Sequence, residues 1–263
     1  MTEALHDFDE GSFAFEAAER RVFRTGTGPA VVVIAEIPGI TPLVADFARR
    51  VAAIGCTAVL PSLFGTPAKV PSAPYVMSSL ARACVSREFA TLAAGRTSPV
   101  TNWLRALARH EHERCGGPGV GAVGMCLTGG FALAMMVDDT VLAPVLSQPS
   151  LPFPIGRRRK SDLGISDADL ERVRRTVDDG VEVLGLRFTA DRLCPAERFE
   201  RLRSELGEGF VSVEIDSSKG NPHGLDPSAH SVLTEDLVDE PGHPTRDALD
   251  RVLDLFRNRL VDA

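Results

Sequence analysis

The sequence predicts an α/β protein with a mostly parallel central sheet and helices on both faces. Three observations carry this. Short β-branched runs alternate with amphipathic helical patterns along the chain. The helical segments are long enough to be crossovers between parallel strands. The 263 residues, 44% of them hydrophobic, can bury a core without help from metals or disulfides. The expectation is one domain over residues 1–263.

The elements follow in order. "RRVFRTGTG" is expected to add an antiparallel strand and a turn before the parallel part begins. "AVVVIAEIPG" reads as a buried strand, and "PLVADFARRVAAIG" as an amphipathic helix closed by Gly55. "CTAVLPSLFG" is a second strand. The least regular stretch, residues 61–99, is read as a lid segment. "VTNWLRALARHEHERCGG" is a helix with Trp103, Leu104, Leu107 and Ala108 on one face. "VGAVGM" is a third strand, "LTGGFALAMMV" the helix after it, and "TVLAPVLSQPS" a fourth strand. "SDADLERVRRTV" is a helix with Ser166 as its cap and Asp169 three residues on, a capping-box pattern. "EVLGLRFTAD" and "FVSVEID" are strands around the helix "PAERFERLRSEL", and "HPTRDALDRVLDLFRNRL" is the closing helix.

Composition narrows the function. The net charge of −7 argues against nucleic acid or an anionic membrane as the main partner. The acidic start "MTEALHDFDEGSF" lacks an apolar core, so no signal peptide is expected, and no apolar run is long enough to span a bilayer. Cys56, Cys84, Cys115, Cys126 and Cys194 form an odd, scattered set. Reduced thiols in a cytoplasmic protein are expected, with no cofactor. His110, His112 and Cys115 look like metal ligands, but the two histidines do not share a helix face, and no metal site is expected. The run from Gly156 to Lys160, "GRRRK", reads as a solvated loop.

Ligands of parallel α/β sheets bind beyond the carboxyl ends of the strands. Glu36, Cys126, Asp191 and the loop "SSKGNPHGLDPSAHSV", with His223 and His230, lie at those ends. Gly124-Met125-Cys126-Leu127-Thr128 nearly matches a strand-to-helix nucleophile turn, although Thr128 stands where a glycine is usual. A free cysteine is commonly an inert core residue, but the strand before and the helix after favour a nucleophile, since a helix N-terminus favours thiolate. Asp191 fits the residue that orients a histidine base. His230 is preferred over His223, and His243 is expected to cap or precede the last helix. The chain order of nucleophile, acid and histidine is that of α/β-hydrolases. Glu36 is an awkward charge at the end of an apolar strand, read either as functional or as half of a buried ion pair. The amides of Ile37 and Leu127 are candidates for an oxyanion hole.

Taken together, "VIAEIPGI" with Glu36, "GMCLTGG" with Cys126, "ADRLCP" with Asp191 and "AHSVLT" with His230 resemble the dienelactone hydrolase family over most of the chain. The resemblance implies an α/β-hydrolase fold, a Cys126-His230-Asp191 triad, and a Glu36 that helps generate the thiolate when substrate binds. It also implies a small-molecule ester or lactone substrate and no nucleic-acid or membrane partner; a monomer or small homo-oligomer is expected. Members that act on dienelactone carry an arginine shortly after the histidine, where this chain has Val232, Leu233 and Thr234. Arg87 in "VSREF" is a candidate substrate contact from the lid segment. Neutral or bulkier esters and lactones are therefore expected. Two other readings stay open. A PfpI-like glyoxalase or peptidase usually has histidine directly after the cysteine, where this chain has Leu127. A non-hydrolytic redox sensor or small-molecule binding protein would keep the same fold.

Overall fold

The computed structural model describes residues 3–85 and 98–263. Eight strands form one sheet in the order β1-β2-β4-β3-β5-β6-β7-β8. They are β1 (Asp9–Phe15), β2 (Ala18–Gly26), β3 (Ala30–Ile34), β4 (Thr57–Pro61), β5 (Val120–Met125), β6 (Val141–Ser147), β7 (Val183–Phe188) and β8 (Phe210–Ile215). From β4 through β8 neighbouring strands run parallel, while β1 and β2 pair antiparallel and join the sheet through β4. The sheet and its helices form the mostly parallel α/β architecture that the alternating pattern predicts.

The helices are α1 (Pro42–Ala53), α2 (Ala73–Val85), α3 (Pro99–Cys115), α4 (Gly129–Met135), α5 (Asp167–Asp178), α6 (Ala196–Leu206) and α7 (Pro244–Phe256). Their ends follow local chemistry. Thr41 caps α1 by accepting the Val44 N–H at 3.3 Å, with Pro42 at its first turn. Gly55, at φ +89°, stops the helix. Ser166 accepts the Asp169 N–H at 3.1 Å to open α5. His243 caps α7 through Nδ1, which accepts the Thr245 N–H at 3.3 Å.

Alternation along each strand divides the core in two. Val31 and Val33 of β3 face α1 and α7, joining Phe47, Val51, Leu249, Val252 and Phe256. Val32 and Ile34 face the other layer, with Trp103, Leu107, Phe131, Leu170 and Phe199. β6 holds a proline inside the sheet, and Pro144 is accommodated because pairing with β7 begins only at Val145.

Several strands differ from the expectations; β4 ends at Pro61 and β7 at Phe188, short of the expected runs. β3 stops at Ile34, so Glu36 lies two residues past the strand, in a turn closed by the Gly39 N–H to the Glu36 carbonyl at 2.7 Å. β6 stops at Ser147, before the expected run ends. β1 was not foreseen, because an exposed edge strand such as "DEGSFAF" carries little apolar alternation. Within the 61–99 stretch the described part contains α2, and residues 86–97, including Arg87, lie outside the described residues.

Candidate active site

Strand β5 delivers Cys126 at its carboxyl end, where the chain turns through a single 3-10 turn, Cys126–Thr128, into α4. Cys126 has φ +54°, a left-handed conformation rare for a residue with a side chain. Close packing enforces it. A Cβ on Gly124 would lie 2.2 Å from the Thr128 carbonyl oxygen, and one on Gly129 would lie 2.6 Å from Pro149 Cα. Gly130 has open space instead, with nothing nearer than 3.6 Å. The turn therefore needs glycine two before and three after the cysteine.

Thr128 takes the position between for a reason of its own. Its hydroxyl is buried, accepts the Met125 N–H at 2.9 Å, and sits 2.8 Å from both the Ile34 and Met125 carbonyl oxygens. It therefore fastens the turn to itself and to the end of β3. A glycine could not do this.

The loops after β7 and β8 bring the acid and the histidine together. Asp191 Oδ2 lies 2.7 Å from His230 Nδ1 and is nearly buried. Burial works against charge on His230, but Asp191 and Cys126 together outweigh it and raise the ring to about 11. Ser150 Oγ lies 3.5 Å from His230 Nε2, and the Ser150 N–H donates to the Cys126 carbonyl at 2.9 Å. Asp236 Oδ2 accepts the N–H groups of both His230 and Ser231 at 2.8 Å, which sets the backbone of the histidine loop. His223 lies away from Asp191, and its ring packs on His243 at 5.6 Å between centroids.

Glu36 is buried, 5% exposed. Its Oε2 accepts from Ser231 Oγ at 2.7 Å and from Gln148 Nε2 at 3.3 Å, and its Oε1 pairs with the Thr234 hydroxyl. Desolvation pushes its pKa up against those hydroxyl bonds. The expected alternative of a buried ion pair is not what the protein builds, because among the described residues its hydrogen-bond partners are neutral. Ile37 is the second residue of the Glu36 turn, and Leu127 is the second of the 3-10 turn, where an N–H has no intrahelical acceptor.

A cavity of about 500 Å³ opens beside His230 and Asp191, lined also by Arg192, Leu193, Asp226 and Pro227. The short helix Arg157–Lys160 is solvated and holds Lys160 against Glu197 at 3.1 Å. His110 stacks on Phe13 at 5.0 Å. Among the described residues no cluster of three or more metal-ligating side chains is present, and no helix is long and apolar enough to cross a membrane.

Sequence reasoning missed Gln148, Ser150 and Asp236. Gln148 and Ser150 follow β6 and carry no motif. The Asp236 signal was readable as an aspartate a few residues after the histidine, able to accept backbone N–H groups.

This arrangement, a thiol on a strained strand-to-helix turn beside a histidine–aspartate pair, defines a class: hydrolases of the α/β-hydrolase fold. The family model described as "Dienelactone hydrolase family" matches residues 20–260, and the chain belongs to that family. A Saccharomyces cerevisiae protein assigned as a carboxymethylenebutenolidase is 25% identical over 191 residues, 71% of this chain and 67% of that one. A Klebsiella pneumoniae structure assigned as a dienelactone hydrolase superposes with TM-score 0.63 at 21% identity, covering 95% of this chain and 97% of its own. A dienelactone hydrolase-like promiscuous phosphotriesterase, P91, from metagenomic libraries gives 0.61 at 17% identity, covering 96% and 98%. The protein is an ester or lactone hydrolase of this family.

Proposed function

We propose that the chain cleaves carboxylic esters or lactones through a Cys126 thioester, with His230 and Asp191 completing the triad. The observation that carries this reading is the cysteine held at φ +54° at the end of β5, with Ser150 bridging it to a His230 whose Nδ1 lies 2.7 Å from Asp191.

The thiol proton passes to His230 Nε2, leaving a thiolate beside an imidazolium that Asp191 stabilises. The thiolate attacks the ester carbonyl, and the oxyanion is received by the amides of Ile37 and Leu127. Collapse breaks the C–O bond, and His230 gives its proton to the departing alkoxide. Neutral His230 then takes a proton from water, whose oxygen attacks the thioester. Collapse of this second adduct breaks the C–S bond, the acid leaves, and the Cys126 thiolate with the proton on His230 restores the starting pair. Glu36 borders this site from the end of β3.

Substrates that place no carboxylate against the stretch after His230 are favoured, with Arg192 a charged group on the cavity wall. After His230, Val232 and Leu233 are buried, and Thr234 is engaged by Glu36, so that stretch offers no cation to a carboxylate. Leu193, 42% exposed, lines the cavity beside the histidine and suits an apolar substrate group. Arg87 remains a proposed contact from the lid. We read residues 1–263 as one domain and residues 61–99 as the lid segment. In support, the turn at Gly65 presses on the Ile37 turn, so that a Cβ there would lie 1.9 Å from the Pro38 carbonyl oxygen.

Hydrolysis of p-nitrophenyl acetate through butyrate and several lactones, by wild type and Cys126→Ala, tests the reading. Turnover that survives in Cys126→Ala would reject the thioester.

A further inference from the structure

Ser150 lies outside the triad, yet it meets two of its members. It is fully buried. Its N–H donates to the Cys126 carbonyl at 2.9 Å, and its Oγ lies 3.5 Å from His230 Nε2, the ring nitrogen that Asp191 leaves free. The turn that carries Ser150 is held firmly against both neighbouring strands. Gln148 sits at φ +35° and donates its N–H to the Leu186 carbonyl of β7 at 2.8 Å. Pro149 packs so closely on the nucleophile turn that a Cβ on Gly129 would lie 2.6 Å from its Cα. The backbone of Ser150 is therefore fixed relative to the cysteine.

The sense of the serine–histidine contact follows from the protons available. A serine hydroxyl has one proton to donate and two lone pairs. A carbonyl oxygen only accepts, and Ser150 Oγ donates to the Gln148 carbonyl at 2.9 Å, the shorter of its two contacts. Towards His230 the serine oxygen thus presents a lone pair. That favours a ring with hydrogen on Nε2 and disfavours a bare Nε2. With Nδ1 bonded to Asp191, hydrogen on Nε2 makes the ring an imidazolium. The contact is long at rest and shortens once the ring takes up its proton.

We propose that Ser150 is a positioning residue for the proton transfer: its hydroxyl accepts from His230 Nε2–H and favours the imidazolium that forms when Cys126 gives up its proton. In that step the Cys126 S–H bond breaks, the electron pair stays on sulfur, and the new N–H bond forms at His230 Nε2. When the departing alkoxide takes that proton, the N–H bond breaks and the bond to Ser150 is lost with it. This role deepens the triad reading and rests on it, but its test needs no ester turnover.

The experiment is nitrogen-15 NMR of protein labelled at histidine, followed against pH in a Cys126→Ala background, where no thiol titrates together with the ring. Of the six histidines, His230 is identified by the signals missing from His230→Gln. The other titratable and charged groups around it are Asp191 at Nδ1, Asp236 at the backbone N–H, Glu36, and Arg192 and Asp226 on the cavity wall. All of these are retained in the Ser150 variants. Ser150→Ala keeps the N–H that bonds the carbonyl of residue 126 and removes only the hydroxyl. It is expected to lower the pH at which His230 loses its proton by at least about half a unit. An unchanged midpoint would overturn the proposal. A raised midpoint would overturn it too, since the serine would then be donating to a bare Nε2. If Ser150→Ala does not fold, Ser150→Cys, similar in size and only a weak acceptor, is expected to lower the midpoint likewise, and an equal midpoint there would overturn the proposal. Asp191→Asn in the same background is expected to lower the midpoint by more than about one unit. If neither substitution moves it, the His230–Asp191 pairing of the triad falls with the proposal. If Asp191→Asn alone moves it, the proposal falls and the triad stands.

Discussion

At the residue scale the protein concentrates strain and charge on a few side chains. Cys126 carries an unfavourable backbone conformation enforced by the packing around its turn, and His230 a proton held mainly by Asp191. Cys126→Ala is expected to lower ester hydrolysis at least ~10³-fold, as removal of a nucleophile does in triad enzymes, with an unchanged circular dichroism spectrum. His230 also gives a pH signature. Its folded value, about 11, lies above the ordinary 6.5, so its contribution to stability is complete below 6.5 and fades as pH rises towards 11. Asp191→Asn removes the main hydrogen-bonding cause of the rise. Urea unfolding should show wild type exceeding that variant most near pH 6 and the gap closing towards pH 11. Glu36, also raised, has the same sign: its contribution is full below 4.5 and is lost as pH climbs through the folded value. Glu36→Gln cannot titrate, so it should gain on wild type in urea unfolding as pH rises from 4.5.

At the element scale, the nucleophile turn and the Ser147–Lys160 connection decide the geometry. Gly124→Ala would drive a Cβ to 2.2 Å from the Thr128 carbonyl, so it is expected to lower thermal stability and activity together, whereas Gly130→Ala has room and should be tolerated. The departure at Thr128, which in the sequence weakens the match to a glycine-bounded turn, becomes a fastening to Ile34 and Met125 once β3 and β5 lie side by side. Arg198 on α6 does comparable work for the connection after β6. It is 1% exposed and donates to the carbonyl oxygens of Pro149, Pro152, Arg159 and Asp162. Its planar fork reaches acceptors spread along the connection from three nitrogens, where a lysine offers donors from one point. Both Arg198→Met and Arg198→Lys are therefore expected to destabilise, Met by about 3–5 kcal/mol because buried carbonyls lose their donors. Chemical denaturation would measure it, and an unchanged midpoint would contradict the role.

For the whole molecule, the sheet is held between two apolar layers, and the closing helix α7 supplies part of one. Phe256 is fully buried, and its ring lies 3.0 Å from where a Cβ on Gly121 would be. Phe256→Ala should cost about 3–5 kcal/mol with little change in substrate preference, because it lies among the α1 and α7 contacts rather than in the cavity.

The alternation of strand and helix, the caps at Ser166 and His243, the stop at Gly55, and Cys126 between a strand and a helix were readable in the sequence, because each depends on residues a few positions apart. Asp191 and His230 could be picked out by their places after strands, and the family resemblance implied their pairing; the distance between them could not be read. The partners of Glu36, the anchor of Thr128 and the carbonyls around Arg198 depend on segments that meet only when parallel strands set their carboxyl ends in one row. A hydrogen bond between residues 198 positions apart, such as Glu36 to Thr234, has no local spacing to betray it. Periodicity and turn chemistry are local and can be read along the chain; the charge state and support of the site depend on burial and register, which exist only in the folded sheet.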